Sequence, residues 1–243
     1  MMLQPINKTA IVLLHYFGGA ARSWDWMIPK LSDYGQVIAL DLPGFGGTTP
    51  LKERNIPNFA RHVLDEIRKK EIEKCVLVGH SMGGKIALMA SALDKEDRIE
   101  QLILIAPSPP TTEPMEEEEK KRMLNQNREE AEKTVEKSTV VKLNKEKLET
   151  AVQTQLEVDN LSWKWWIEEG MAHSIADVVK DLSIPVRVLA SEDDPVMTPK
   201  VIEERVMPNL PGAELRSTKN IGHLIPMEDP EWTARMINEC LTD

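Results

Sequence analysis

Short apolar, β-branched runs recur along the chain at 9–14, 36–41, 74–79, 101–106, 185–190 and 213–217, and they alternate with helical patterns. Such alternation predicts βαβ units and a mostly parallel central sheet covered by helices on both faces, an α/β fold. Between the runs, 56–70 carries Phe59, Val63 and Ile67 at an amphipathic helical spacing, and 82–93 and 232–241 read as helices too.

The stretch 107–179 breaks this rhythm. It opens with a Pro-rich segment and continues through charged helical sequence with no convincing strand, so it reads as an inserted helical module. The expected division is a core of 1–107 and 180–243 and an insertion of 108–179. Inside the insertion, the acidic run 116–119 precedes Lys120, Lys121 and Arg122 at helical spacing, which predicts a solvated helix start with i,i+4 ion pairs.

Composition excludes several classes. With 41% hydrophobic and 29% charged residues among 243, the chain reads as soluble and globular. A net charge of −10 with no basic patch argues against nucleic acid as a partner. The first eight residues lack the basic start and apolar core of a secretory signal, and no apolar run approaches the ~20 residues of a membrane span, so a cytoplasmic location and no membrane partner are expected. Cys75 and Cys240 have neither metal-ligand nor disulfide spacing and read as buried thiols.

The segment Gly79-His80-Ser81-Met82-Gly83 places a G-x-S-x-G string between an apolar strand and an apolar helix, the context of a nucleophile elbow. Gly79 and Gly83 leave room in a turn so sharp that bulky residues would collide with the backbone, while Ser81 is held up at a helix N-terminus that favours negative charge.

Three motifs in order then resemble the α/β-hydrolase superfamily: H-Y-F-G-G from His15 to Gly19, D-L-P-G-F-G from Asp41 to Gly46, and G-H-S-M-G-G around Ser81. The resemblance extends through E-D-D-P at Glu192 to Pro195 and G-H at Gly222 and His223, and covers nearly the whole chain except the insertion. It implies the α/β-hydrolase fold, with the N-terminal edge strand or strands of that fold missing because so few residues precede the first apolar run.

A nucleophilic serine needs a base, and the chain has five histidines. His15 ends a strand and His80 sits inside the elbow, so both read as structural; His62 lies on the polar side of its helix and His173 falls in the insertion. His223, after the last strand, matches the family's base, and the order Ser, Asp, His is that of this fold. The family's acid stands three positions after a glycine ending the preceding strand; Ser191 replaces that glycine, the count selects Asp194, and Asp193 is the neighbouring alternative. The same resemblance assigns the oxyanion hole to the backbone N–H groups of Phe17 and Met82. Tyr16 departs from the family's H-G pattern, and it either narrows an acyl pocket or packs under the loop.

The insertion corresponds in position to the family's helical cap. Its Trp163 and Trp166 share one helix face with Ile167 and Gly170 and would either form an apolar ceiling over Ser81 or glue the cap to the core. The resemblance implies a serine hydrolase with no cofactor and no metal, acting by acyl transfer on a carboxylic ester or lactone of a small, fairly apolar substrate. Carbon–carbon bond hydrolases, thioesterases, peptidases and perhydrolases share the triad on this fold, and a low-turnover ligand-binding receptor is a further alternative. Dehalogenases and epoxide hydrolases place Asp at the nucleophile position, where this chain has Ser81. A monomer or homodimer with a small-molecule partner is expected.

Overall fold

A computed structural model of the chain describes residues 9–31 and 35–242. The six strands among them are β1 (Ala10–Leu14), β2 (Val37–Leu40), β3 (Cys75–His80), β4 (Ile99–Ile105), β5 (Val186–Ser191) and β6 (Glu214–Thr218). They form one sheet in the order β2-β1-β3-β4-β5-β6, parallel throughout. Every residue of β1 and β3 is buried, as central parallel strands require. The expectation about N-terminal edge strands falls on 1–8, outside the described residues.

Helix α1 (Ile56–Lys69) starts where Asn55 Oδ1 accepts the N–H of Asn58 at 2.8 Å, with Pro57 in its first turn. It buries Phe59, Val63 and Ile67, the spacing read from the sequence. Helix α2 (Met82–Leu93) is buried on all sides from Met82 to Ala90. Between β4 and β5 lie α3 (Glu117–Met123), α4 (Arg128–Ser138), α5 (Lys145–Leu156), α6 (Asn160–Trp165) and α7 (Ala176–Val179), with no strand among the described residues of that stretch. After β5 come α8 (Pro199–Val201), α9 (Ile225–Glu228) and α10 (Pro230–Thr242).

Two elements begin two residues earlier than expected, each for a local reason. Strand β4 begins at Ile99 because Glu100 is an extra residue opposite the Cys75–Val76 step, a bulge that leaves its side chain in solvent. Helix α10 begins two residues early because Asp229 Oδ1 accepts the N–H of Trp232 at 2.8 Å while Pro230 supplies the fixed φ of a first helical position. The charged run at the start of the insertion pairs at i,i+3 rather than i,i+4, Lys120 with Glu117 and Arg122 with Glu119. Arg122 also reaches Glu130 at 2.8 Å and Lys137 reaches Glu119 at 2.8 Å, so these charges join α3 to α4 instead of merely facing water.

The order of the strands reverses between β1 and β3, where the chain departs first toward β2 and then toward β4. Loops leaving the carboxyl ends of strands on either side of such a switch point diverge and open a crevice. Tyr16 and Phe17 follow β1 there, and Ser81 follows β3.

Candidate active site

Ser81 has φ 54° and ψ −117°, a conformation that non-glycine residues adopt only under constraint. The constraint is visible on both sides. A Cβ at Gly79 would lie 2.5 Å from the Gly83 carbonyl oxygen, and one at Gly83 would lie 2.5 Å from the carbonyl oxygen of Leu14. The two glycines therefore let α2 press against the ends of β1 and β3, and the serine between them is turned outward from the strand.

His223 and Asp194 converge on that serine from the loops after β6 and β5. His223 Nε2 lies 3.0 Å from Ser81 Oγ, and His223 Nδ1 lies 2.8 Å from Asp194 Oδ2. A carboxylate oxygen only accepts, so Nδ1 carries the proton and Nε2 is free to accept from the serine hydroxyl. Asp194 Oδ1 accepts the N–H groups of Val196 at 2.7 Å and Met197 at 2.9 Å. All three side chains are buried. Burial alone would push the Asp194 carboxyl up, but the His223 charge, its hydrogen bond and the two amides hold it below the usual carboxylate range. Burial likewise opposes the imidazolium of His223, and the facing Asp194 carboxylate outweighs it and raises the pKa.

Asp193 is exposed and accepts the N–H of Asn220 at 2.6 Å, so the carboxylate on His223 is Asp194. Ser191, standing where the family has glycine, donates its hydroxyl to the Ile221 carbonyl at 2.5 Å and accepts the Asp193 N–H at 3.2 Å. It joins the acid loop to the histidine loop without shifting the register.

The remaining histidines separate clearly. His15 donates from Nδ1 to the Tyr16 carbonyl at 2.8 Å and accepts the Leu42 N–H on Nε2 at 3.1 Å, which pins the loop after β2; burial lowers its pKa to about 4. His80 lies 2.8 Å from the His223 carbonyl through Nε2, and burial lowers its pKa to about 3. His62 is half-buried on α1 and His173 is exposed.

A cavity of about 450 Å³ opens over Ser81 and His223. Its apolar wall includes Tyr16, Phe17, Met123, Val135, Trp166 and Met171. Tyr16 is buried, belongs to a cluster with Val135, Leu224 and Met227, and has its hydroxyl 3.9 Å from Met227 Sδ. It packs beneath the loop and also contributes to the cavity wall. Burial pushes its phenol up to about 12.

The two tryptophans divide. Trp166 lines the cavity, while Trp163 is absent from the lining and stands behind Phe17, with ring centroids 4.3 Å apart and Nε1–H donating to the Met123 carbonyl at 2.6 Å. The expectation that Trp163 lines the cavity over Ser81 is corrected on this point. Side chains three positions apart on an α-helix point about 60° apart, and here Trp166 faces the cavity while Trp163 faces Phe17 and the Met123 carbonyl.

Sequence reasoning missed several residues here. Lys85, on α2 one turn beyond Ser81, is wholly buried and donates Nζ to the carbonyls of Thr111 at 3.1 Å and Met171 at 3.4 Å; burial lowers its pKa to about 8. Glu113 is buried in the cavity wall, where burial raises its pKa against the pull of Ser108, Lys85 and His223. The only available signal was a lysine inside an otherwise apolar helix sequence.

Residues 9–165 match the model of the α/β hydrolase fold family. The chain belongs to that family. It is 27% identical over 254 residues to the uncharacterized hydrolase YugF of Bacillus subtilis (strain 168), covering 98% of this chain and 90% of the relative. It is 29% identical over 206 residues to a pimeloyl-[acyl-carrier protein] methyl ester esterase of Legionella pneumophila (strain Corby), covering 82% of each. An esterase from Exiguobacterium antarcticum shares the fold with a TM-score of 0.88 at 16% identity, over 97% of this chain and 92% of that one.

Proposed function

We propose that this α/β hydrolase cleaves a carboxylic ester or lactone of a small, fairly apolar substrate through an acyl-enzyme on Ser81. The observation that carries this reading is the unbroken line from Asp194 through His223 to Ser81 Oγ, at 2.8 Å and 3.0 Å, beneath a cavity with a largely apolar wall.

In this reading His223 takes the Ser81 hydroxyl proton on Nε2 as Oγ bonds to the carbonyl carbon. The carbonyl oxygen gains the electron pair and is met by the N–H groups of Phe17 and Met82. Met82 is the first residue of α2, where the N–H has no intrahelical acceptor and the positive end of the helix dipole adds to the field. The pair then returns, the C–O bond to the leaving alcohol breaks, and His223 gives that alcohol the proton. Water repeats the sequence on the acyl-enzyme, His223 taking its proton and returning it to Ser81, so acid and restored enzyme leave. Asp194 keeps the proton of Nδ1 in place and stabilises the imidazolium without itself being protonated.

The stretch 108–179 is read as a cap, with Trp166, Met123 and Met171 giving the acyl or alcohol group an apolar ceiling. The relative that is a methyl ester esterase supports ester chemistry here. The test is release of p-nitrophenol from esters of graded acyl length, with lactones and thioesters in parallel. Many turnovers per chain and a preference for ester or lactone are expected. Release of no more than one equivalent would favour a receptor, and faster cleavage of thioesters would reassign the substrate.

A further inference from the structure

The loop carrying His223 is laid directly on the connection between α4 and α5. The His223 N–H donates to the Ser138 carbonyl at 2.6 Å. A Cβ at Gly222 would lie 2.6 Å from that same oxygen and 2.6 Å from the Val140 nitrogen, so only glycine permits the approach. One carboxylate closes the arrangement. Glu228, the last residue of α9, accepts the N–H of Gly222 at 2.8 Å, of Val140 at 2.9 Å and of Val141 at 2.8 Å on Oε2, and the N–H of Leu224 at 3.1 Å on Oε1.

We infer that Glu228 is a positioning residue for His223: by accepting the N–H groups on either side of it and those of Val140 and Val141, its carboxylate fixes where the imidazole stands over Ser81 and ties that position to the α4–α5 connection. This rests on reading Ser81, His223 and Asp194 as the reacting groups. The physical reason is the count of donors. Four backbone N–H groups of two separate loops converge on one side chain, and charge-assisted bonds of this kind are about twice as strong as neutral ones. Without the carboxylate, those four donors have no shared acceptor, and the two residues flanking His223 lose their anchor. The Ser138 carbonyl would still hold the His223 N–H, so the loop would remain attached but free to shift along α4. A displacement of about 1 Å at a catalytic group can lower a rate by about a hundredfold.

Glu228 acts on His223 electrostatically as well. The charged groups that raise the imidazole's proton affinity are Asp194, Glu113 and Glu228, while the ring of His80 faces it as a neutral neighbour. Two variants separate geometry from charge. Glu228→Asp keeps the charge but is one methylene too short to reach all four donors. Glu228→Gln keeps the length but loses the charge and presents an N–H₂ to one set of N–H groups.

The experiment measures kcat and KM for p-nitrophenyl butyrate against pH, with melting temperature, for both variants and the parent protein. Both variants should lose about tenfold to a hundredfold in kcat with KM changed less than threefold. The acid limb should move to lower pH in Glu228→Gln alone, because the charge that raised the pKa of His223 is gone. If both folded variants keep kcat within twofold and leave the acid limb in place, Glu228 only stabilises the fold and the inference is wrong. Should Glu228→Gln fail to fold, the kcat of Glu228→Asp decides by itself. Fluorophosphonate labelling of Ser81 in the parent protein keeps the two readings apart: no labelling overturns the triad, whereas labelling with normal Glu228 variants overturns only the role given to Glu228.

Discussion

His80 donates its Nε2–H to the main-chain carbonyl of His223 at 2.8 Å, so the residue immediately before Ser81 holds the loop that brings the imidazole to Ser81. Burial keeps His80 neutral by lowering its pKa to about 3 from 6.5, against the pull of this bond, which either protonation state can donate. An unfolded chain binds the proton that the native state refuses. The contribution of His80 to stability is therefore complete above pH 6.5 and declines as pH falls toward about 3. Glutamine keeps an N–H donor near the same place but does not titrate. His80→Gln should lose about 2 kcal/mol less stability than the parent between pH 7.5 and 5. Urea denaturation at both pH values measures this, and equal losses would contradict it.

The acid limb of kcat/KM reports the free enzyme's base. Asp194 raises the pKa of His223 above its ordinary 6.5, and only neutral His223 can accept the Ser81 proton. Activity should therefore rise with pH through a limb above 6.5 rather than below it. A limb below 6.5 would mean that burial outweighs the facing carboxylate.

Asp194→Asn should lower kcat by roughly 10³–10⁴-fold, because the amide cannot hold the Nδ1 proton in the same way. Asp193→Asn should stay within about threefold of the parent, since its carboxylate is exposed and bonds only the Asn220 amide among the described contacts. Steady-state kinetics of the two variants rank the carboxylates, and the reverse order would show that Asp193, not Asp194, holds the Nδ1 proton of His223.

Trp166 and Trp163 should part in their effects. Removing the indole of Trp166 enlarges the cavity, so Trp166→Ala should raise kcat/KM for p-nitrophenyl octanoate relative to acetate by about tenfold. Trp163→Ala removes the group behind Phe17 and the bond to Met123, and should lower stability by ~3–5 kcal/mol with little change in the shape of the acyl-length profile. Graded esters and melting curves on both variants decide this. A flat profile for Trp166→Ala would remove it from the pocket wall.

What the sequence made legible is what depends on near neighbours in the chain. The elbow is a local steric problem, so Gly79, Ser81 and Gly83 announce it by themselves, and the buried strands show in unbroken apolar runs such as Ala10–Leu14. Asp194 follows only from a count past a replaced glycine, and the choice over Asp193 rests on partners that the sequence does not show, His223 for Asp194 and the Asn220 N–H for Asp193. Lys85, Glu113 and Glu228 were not legible. Each takes its meaning from partners far along the chain: Met171 for Lys85, His223 for Glu113, and Val140 and Val141 for Glu228. The separation of Trp163 from Trp166 is hidden for a different reason, since an i,i+3 spacing puts two side chains on one face without fixing which neighbour each meets.

The account turns on a covalent intermediate, and mass spectrometry of the acid-quenched protein reads it directly. Mixed with p-nitrophenyl butyrate and quenched within the first turnovers, the protein should carry one butyryl group on the peptide containing Ser81. The adduct should disappear on longer incubation as water releases it, and Ser81→Ala should show neither adduct nor sustained hydrolysis. Turnover that survives in Ser81→Ala, or an acyl group that maps to another residue, would contradict the account.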